Sequence, residues 1–250
     1  SVILAGILLK LGGYGFIRFN LSILPDASIF FTPFVYFLSV IAIVYTSIIA
    51  LVQEDMKKLI AYSSVAHMGF VTIGIFSANI QGLHGAIIQM ISHGIISAAL
   101  FFSIGSIYNR FKTKQVASFG GLNTTMPKLA VFFLIFVLGS IGFPGTSGFV
   151  GEYLTLLSVF AKNTTIAFVA STGVILAASY MLLLYKNVFL GPVNDSYKSK
   201  KISDINIFEN FVYIILIILI VVIGIKPNFI LDFTTSSIER IIKLYPISIL

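Results

Sequence analysis

The sequence predicts an all-α polytopic membrane protein of about seven transmembrane helices, one of them broken, followed by a C-terminal amphipathic segment. Three observations carry this. Charged residues make up 10% of the 250-residue chain, against roughly 25% in a soluble domain. Hydrophobic residues make up 58%, with a mean hydropathy of +1.03, so there is too little charge to cover a globule and the solvent is lipid. The apolar residues also fall in runs near the ~20 residues that a spanning helix needs, without the ten-residue alternation of a membrane barrel.

The first run, Ser1 to about Ile17, is short, as though it begins within a helix. The chain starts at Ser1 rather than Met and no leader precedes the run, so the expectation is a truncated N-terminus or a split gene. The second run extends from about Phe30 to Val52, the third from Lys58 to Ser77, and the fourth from Leu83 to Tyr108. The fifth, Lys128 to about Phe160, holds roughly 33 residues and as one straight helix would run about 50 Å, well past the hydrocarbon core. Pro144, with glycines on either side, is the expected break. The sixth run covers Thr165 to Phe189 and the seventh Phe208 to Ile225. In the tail, Asn228 to Leu250, Ile230, Phe233, Ile238, Ile241 and Ile242 alternate with Asp232, Glu239, Arg240 and Lys243. This predicts an amphipathic segment on the membrane surface or on another subunit. No Gly/Ser-rich or Pro-rich linker divides the chain. Residues 1–190 read as one membrane unit, and 191–250 as a basic loop, a last spanning helix and the tail.

Loop charges orient the bundle. One side carries Lys57, Lys58, Arg110, Lys112, Lys114, Lys198, Lys200 and Lys201. The other carries mainly Arg18, Lys162 and Lys226. The richer side faces the cytoplasm, or the matrix of a mitochondrion. The net charge of +7 is accounted for by these loops and gives no reason to invoke nucleic acid. The absence of cysteine excludes disulfides, thiolate metal sites and cysteine-ligated iron–sulfur clusters within the chain, and three scattered histidines make no zinc motif. Nothing resembles a nucleotide loop, a flavin fingerprint or a nucleophile triad.

Ionisable residues inside lipid are costly, about 2.5–3.5 kcal/mol on insertion scales, so those that persist are functional candidates. Four stand out: Lys10, His67, His93 and Glu152. Each also has a plainer reading. Lys10 is a candidate for snorkelling to the interface. His67, with Ser63 four residues earlier on the same face, is also explained as a neutral histidine bonded to a neighbouring helix. Gln89, His93 and Ser97 fall at i, i+4 and i+8, a polar stripe that must face protein or water. It suits either helix–helix adhesion or proton transfer by a group titrating near neutral pH. His84, near the end of its span, reads as interfacial. Glu152 follows the Pro144 break, where a transporter exposes backbone to ions, or where a proline kink merely sits beside a paired carboxylate.

The motifs then show a resemblance. Lys10-Leu11-Gly12-Gly13-Tyr14-Gly15, the stretch from Gln53 through Asp55-Met56-Lys57-Lys58 to His67-Met68-Gly69, Gln89-Met90-Ile91-Ser92-His93-Gly94, and the segment from Pro144 to Glu152 resemble the antiporter-like subunits of respiratory complex I over nearly the whole chain. Glutamate in place of a lysine after the break resembles the branch called subunit M in bacteria and subunit 4 in mitochondria. The resemblance implies a fold of fourteen spans with two inverted five-helix repeats, of which this chain holds the eighth to the fourteenth. It implies that Lys10 is the central-axis lysine, that His67 and His93 form the connecting relay, and that Glu152 is the terminal carboxylate facing the water exit. Ser63, Gln89, Ser97 and Pro144 are expected to supply the supporting polar face and the helix break. The implied activity is proton translocation as a subunit of NADH:ubiquinone oxidoreductase, without a redox cofactor in this chain. NADH, flavin, iron–sulfur clusters and ubiquinone belong to other subunits. The implied partners are the other membrane subunits, including neighbouring antiporter-like ones, and a chain carrying the upstream broken helix and its lysine. The implied location is the mitochondrial inner membrane or a bacterial plasma membrane. Two alternatives remain: a subunit of an Mrp-type cation/proton antiporter, and a structural anchor of a hydrogenase-like complex.

Overall fold

A computed structural model describes residues 2–193 and 202–244. Lys198, Lys200 and Lys201 of the charge argument, and residues 245–250 of the tail, lie outside them. The described residues form helices joined by short turns, with one isolated bridge, Asp55 to Gln115. The long helices are α1 (Leu9–Gly15, with π-helical turns at Leu4–Leu8 and Phe16–Asn20), α2 (Pro25–Leu51), α3 (Met56–Phe76), α4 (Ile80–Phe111), α5 (Pro127–Ile141), α6 (Ser147–Phe160), α7 (Thr164–Phe189), α8 (Ile207–Ile225) and α9 (Asn228–Ile242). Five of these, α2, α3, α4, α7 and α8, are long and apolar enough to cross a membrane. The shorter α5 and α6 are the two halves of the broken span.

Local chemistry sets the ends. Asp55 accepts from the backbone N–H groups of Lys57 and Lys58 and starts α3. Asn79 accepts from Gly82 to start α4, and Asn163 from Ile166 to start α7. Asn206 and Glu209 close a reciprocal capping box on α8. α5 has no capping side chain of its own. Asp204, far along the sequence, accepts from Lys128 and Leu129 instead. Gly142, at φ 76°, ends α5 in the left-handed region, and the chain re-enters helix at Ser147.

Burial separates centre from rim. In α3 and α4, 72% and 67% of the most apolar window is buried, against 11% in α8, so α3 and α4 form the middle of the bundle. Two apolar clusters fill it. One joins Leu59, Ile60, Ile104, Phe133, Tyr180 and Tyr213. The other joins Ile43, Phe70, Ile73, Leu83, Ala167 and Ile238. Along α3 and along α4 the clusters occupy opposite ends, and the polar residues fall in the seam between them.

The ends agree with the charge reading. The backbone of Met56 donates to Lys114 and that of Val116 to Glu54, which ties the loop bearing Lys57 and Lys58 to the loop bearing Lys112 and Lys114. One expectation changes, and the tail adds contacts. Arg18 is not in a loop: the first helical stretch continues to Ile23, because fully buried Leu21 anchors it in the second cluster. The tail helix α9 packs one face against α4 of its own chain, through Ile238 and Ile242. His84 is buried beneath it, within 3.3–3.4 Å of the hydroxyls of Thr234 and Thr235.

Candidate proton path

Close helix packing brings the site together. A Cβ on Gly94 of α4 would sit 2.9 Å from the carbonyl oxygen of Gly6, so only glycine lets the first helical stretch approach α4 at that level. Lys10 lies one turn further along. Its Nζ reaches His93 Nδ1 at 2.7 Å and the carbonyl of Ala5 at 2.5 Å, across the adjoining π turn. Such π turns are frequent at functional positions. On the other side, a Cβ on Gly151 would sit 2.7 Å from Cα of Gln89, and one on Gly85 would sit 2.7 Å from the backbone nitrogen of Thr155. α4 and α6 therefore touch backbone to backbone, which carries Glu152 into the centre.

Glu152 is 4% exposed. Its Oε1 lies 2.7 Å from His67 Nδ1 and accepts from Gln89 Nε2 at 3.0 Å. The rings of His67 and His93 are 5.4 Å apart between centroids and tilted by 53°, with no direct hydrogen bond between them. A small cavity of about 10 Å³ touches both rings, Glu152, Ser92 and Ser140. A cavity of roughly this size holds one water. Ser140 Oγ lies 3.3 Å from His67 Nε2, and Ser92 Oγ is 2.8 Å from Ser147 Oγ.

The line runs Lys10, His93, cavity, His67, Glu152, and the roles of the ring nitrogens follow from it. A charged Lys10 only donates, so His93 accepts at Nδ1 and carries its own proton on Nε2. A proton taken up at Nδ1 leaves from Nε2. An ionised Glu152 only accepts, so His67 donates from Nδ1 and collects its proton at Nε2. Each imidazole can thus pass a proton from one nitrogen to the other in the same direction.

All four ionisable residues singled out in the sequence lie on this line. Gln89 joins it through Glu152. Ser97 does not: its hydroxyl reaches only the carbonyl of Gly94, at 3.4 Å, although it is buried on the expected face. Ser63 gives its proton to the carbonyl of Ile60 at 2.8 Å. Pro144 lies in the 142–146 break between α5 and α6. Ser92, Ser140 and Ser147 were not anticipated. For the serines, the signal was a small hydroxyl within an apolar run.

Subunit M of NADH-quinone oxidoreductase from Rhodobacter capsulatus is 51% identical over 98% of this chain and 48% of its own length. NADH-ubiquinone oxidoreductase chain 4 from Chondrus crispus is 51% identical over 98% of this chain and 49% of its own. The chain therefore spans about half the length of the curated relatives it matches. Among solved structures it superposes on respiratory complex I from Thermus thermophilus with a TM-score of 0.90 and 28% identity, over 96% of this chain and 50% of that one. It also superposes on the Mrp complex from Dietzia sp. with a TM-score of 0.86 over 96% of this chain and 53% of that one, at 18% identity, a likeness of fold alone. The family model described as NADH:quinone oxidoreductase/Mrp antiporter, TM, matches residues 1–178. With most of its length under that model, the chain belongs to the NADH:quinone oxidoreductase/Mrp antiporter transmembrane family.

Proposed function

We propose that this chain is part of a membrane subunit of proton-translocating NADH:quinone oxidoreductase, and that protons cross its centre along Lys10, His93, His67 and Glu152. The observation that carries the reading is the pair of 2.7 Å contacts, Lys10 to His93 and His67 to Glu152, joined by a cavity large enough for one water. In each imidazole, the nitrogen that accepts and the nitrogen that releases are set by the neighbour, which gives the line a direction. Glu152 ends it. The NADH, flavin, iron–sulfur and quinone chemistry belongs to other subunits, whose redox steps change the field felt by Lys10. The partners are the other membrane subunits of the complex, and the location is a mitochondrial inner membrane or a bacterial plasma membrane. Relatives named as subunit M and chain 4 favour this over cation/proton antiport.

Native electrophoresis of mild-detergent extracts, stained for NADH oxidation, with mass spectrometry of the active band, tests the assignment. The chain is expected in that band. Its migration in a band without NADH activity overturns the reading, and sodium-dependent exchange becomes the next measurement.

A further inference from the structure

Gln89 of α4 is 2% exposed, and the two polar atoms of its amide are placed unequally. Nε2 donates to Glu152 Oε1 at 3.0 Å. Oε1 is buried and has no hydrogen-bond partner among the described residues. A buried acceptor without a partner forfeits its hydration, so such atoms are rare and need a reason. The amide lies directly against α6: a Cβ on Gly151 would collide with this oxygen. Only glycine leaves the amide its place there, one residue before Glu152.

The reason lies in the two charge states that the relay imposes on Glu152. As a carboxylate it only accepts, and Nε2 of Gln89 suits it. Once His67 has passed its Nδ1 proton to Glu152 Oε1, across 2.7 Å, the side chain is a carboxylic acid with one O–H to donate. Nδ1 has then become an acceptor, which favours return of the proton. Glutamine carries a donor and an acceptor on one planar end, and a half turn about its last torsion exchanges them. That torsion is broad and roughly twofold, so the exchange asks for no movement of either helix.

We propose that Gln89 is a positioning residue of the relay, an amide that turns with the charge of Glu152: Nε2 donates to the carboxylate, and Oε1 accepts from the acid. The inference rests on the proton-path reading above. In this structure the amide stands in the carboxylate orientation, with Oε1 in reserve. When the proton crosses, the N–H bond of His67 breaks and the O–H bond of Glu152 forms. The half turn then gives that O–H an acceptor other than His67, so the proton is held on Glu152 and not handed back. Gln89 keeps both of its own protons throughout. A side chain with donors alone would serve only the carboxylate, and an apolar one neither form.

The test is Gln89→Met in the assembled complex, beside Glu152→Gln. Methionine is unbranched and flexible enough to fill the space without an amide. Proton yield per NADH oxidised is measured in inverted membrane vesicles, and in Q89M it is expected to fall at least threefold. Redox-induced infrared difference spectra supply a readout that packing alone would not move. Bands that Q89M removes belong to the Gln89 amide, and carboxyl bands that E152Q removes belong to Glu152. The native spectrum is expected to contain the Gln89 amide bands, and E152Q to lose them, because the turn follows the charge. A yield within threefold of native in Q89M, no Gln89 bands in the native spectrum, or the same bands kept in E152Q overturns the inference, while the path stands if E152Q is impaired. An unimpaired E152Q removes the path itself and the inference with it. Should Q89M not assemble, E152Q decides with Gln89 in place. Loss of side-chain amide bands from its difference spectrum supports the turn, and a full native set overturns it.

Discussion

The contact between His67 and Glu152 is the place where a single atom exchange has the most to say. Glu152→Gln keeps the shape of the side chain. Gln89 can still donate to the amide oxygen at 3.0 Å, and so can His67 Nδ1 at 2.7 Å, so packing and assembly are expected to survive. What is lost is the negative charge that stabilises His67 when it carries the travelling proton. At 2.7 Å and an effective dielectric constant of about 20, that attraction is about 6 kcal/mol. The retained hydrogen bond from a charged imidazole to the amide oxygen offsets about 2 kcal/mol of it. The net rise of about 4 kcal/mol in the protonated intermediate slows transfer roughly a thousandfold. The amide also cannot take the proton onward. The assay is NADH-driven acidification of inverted vesicles, normalised to NADH oxidised, with assembly checked by native electrophoresis. A proton yield within twofold of the native value in fully assembled E152Q would falsify the assignment of Glu152 and the electrostatic argument behind it.

Other substitutions address separate links. Ser140→Val places a methyl group in the 10 Å³ cavity and removes the hydroxyl near His67 Nε2; proton yield should fall while assembly persists, and an unchanged yield would show that no water works there. Gly94→Ala brings a Cβ to 2.9 Å from the carbonyl of Gly6, whereas ordinary contact begins at 3.4 Å. The first helical stretch must move away, at a cost of about 1–3 kcal/mol, and a density map should show the Lys10 to His93 distance lengthened from 2.7 Å; an unmoved pair would contradict the packing argument. Asp204→Ala strips both N-terminal donors of α5, Lys128 and Leu129, of their acceptor. The melting temperature of the purified complex should drop in line with about 0.5–2 kcal/mol, and a melt identical to the native one would show that the cap is redundant.

What was legible in the sequence depends on one residue and its solvent. Hydropathy and charge placed the spans, the break near Pro144 and the basic side, because lipid selects apolar residues one position at a time. The same cost marked Lys10, His67, His93 and Glu152, since a charge kept in hydrocarbon needs a reason. Only the tertiary structure decided which of these touch. Contact depends on how each helix is rotated and how near its neighbour comes, and here that is set by pairs such as Gly6 with Gly94 and Gly151 with Gln89. No periodicity in a single run reports on such pairs. Ser97 shows the limit: its spacing from His93 was right, yet its hydroxyl turns back to its own helix. Arg18 and His84 show it from the other side, since buried Leu21 extends one helix past the arginine and α9 covers the histidine. Sequence determined which groups lipid would not tolerate without a purpose, and tertiary structure decided their partners, because a hydrogen bond is a property of two groups at 2.7 Å and not of either alone.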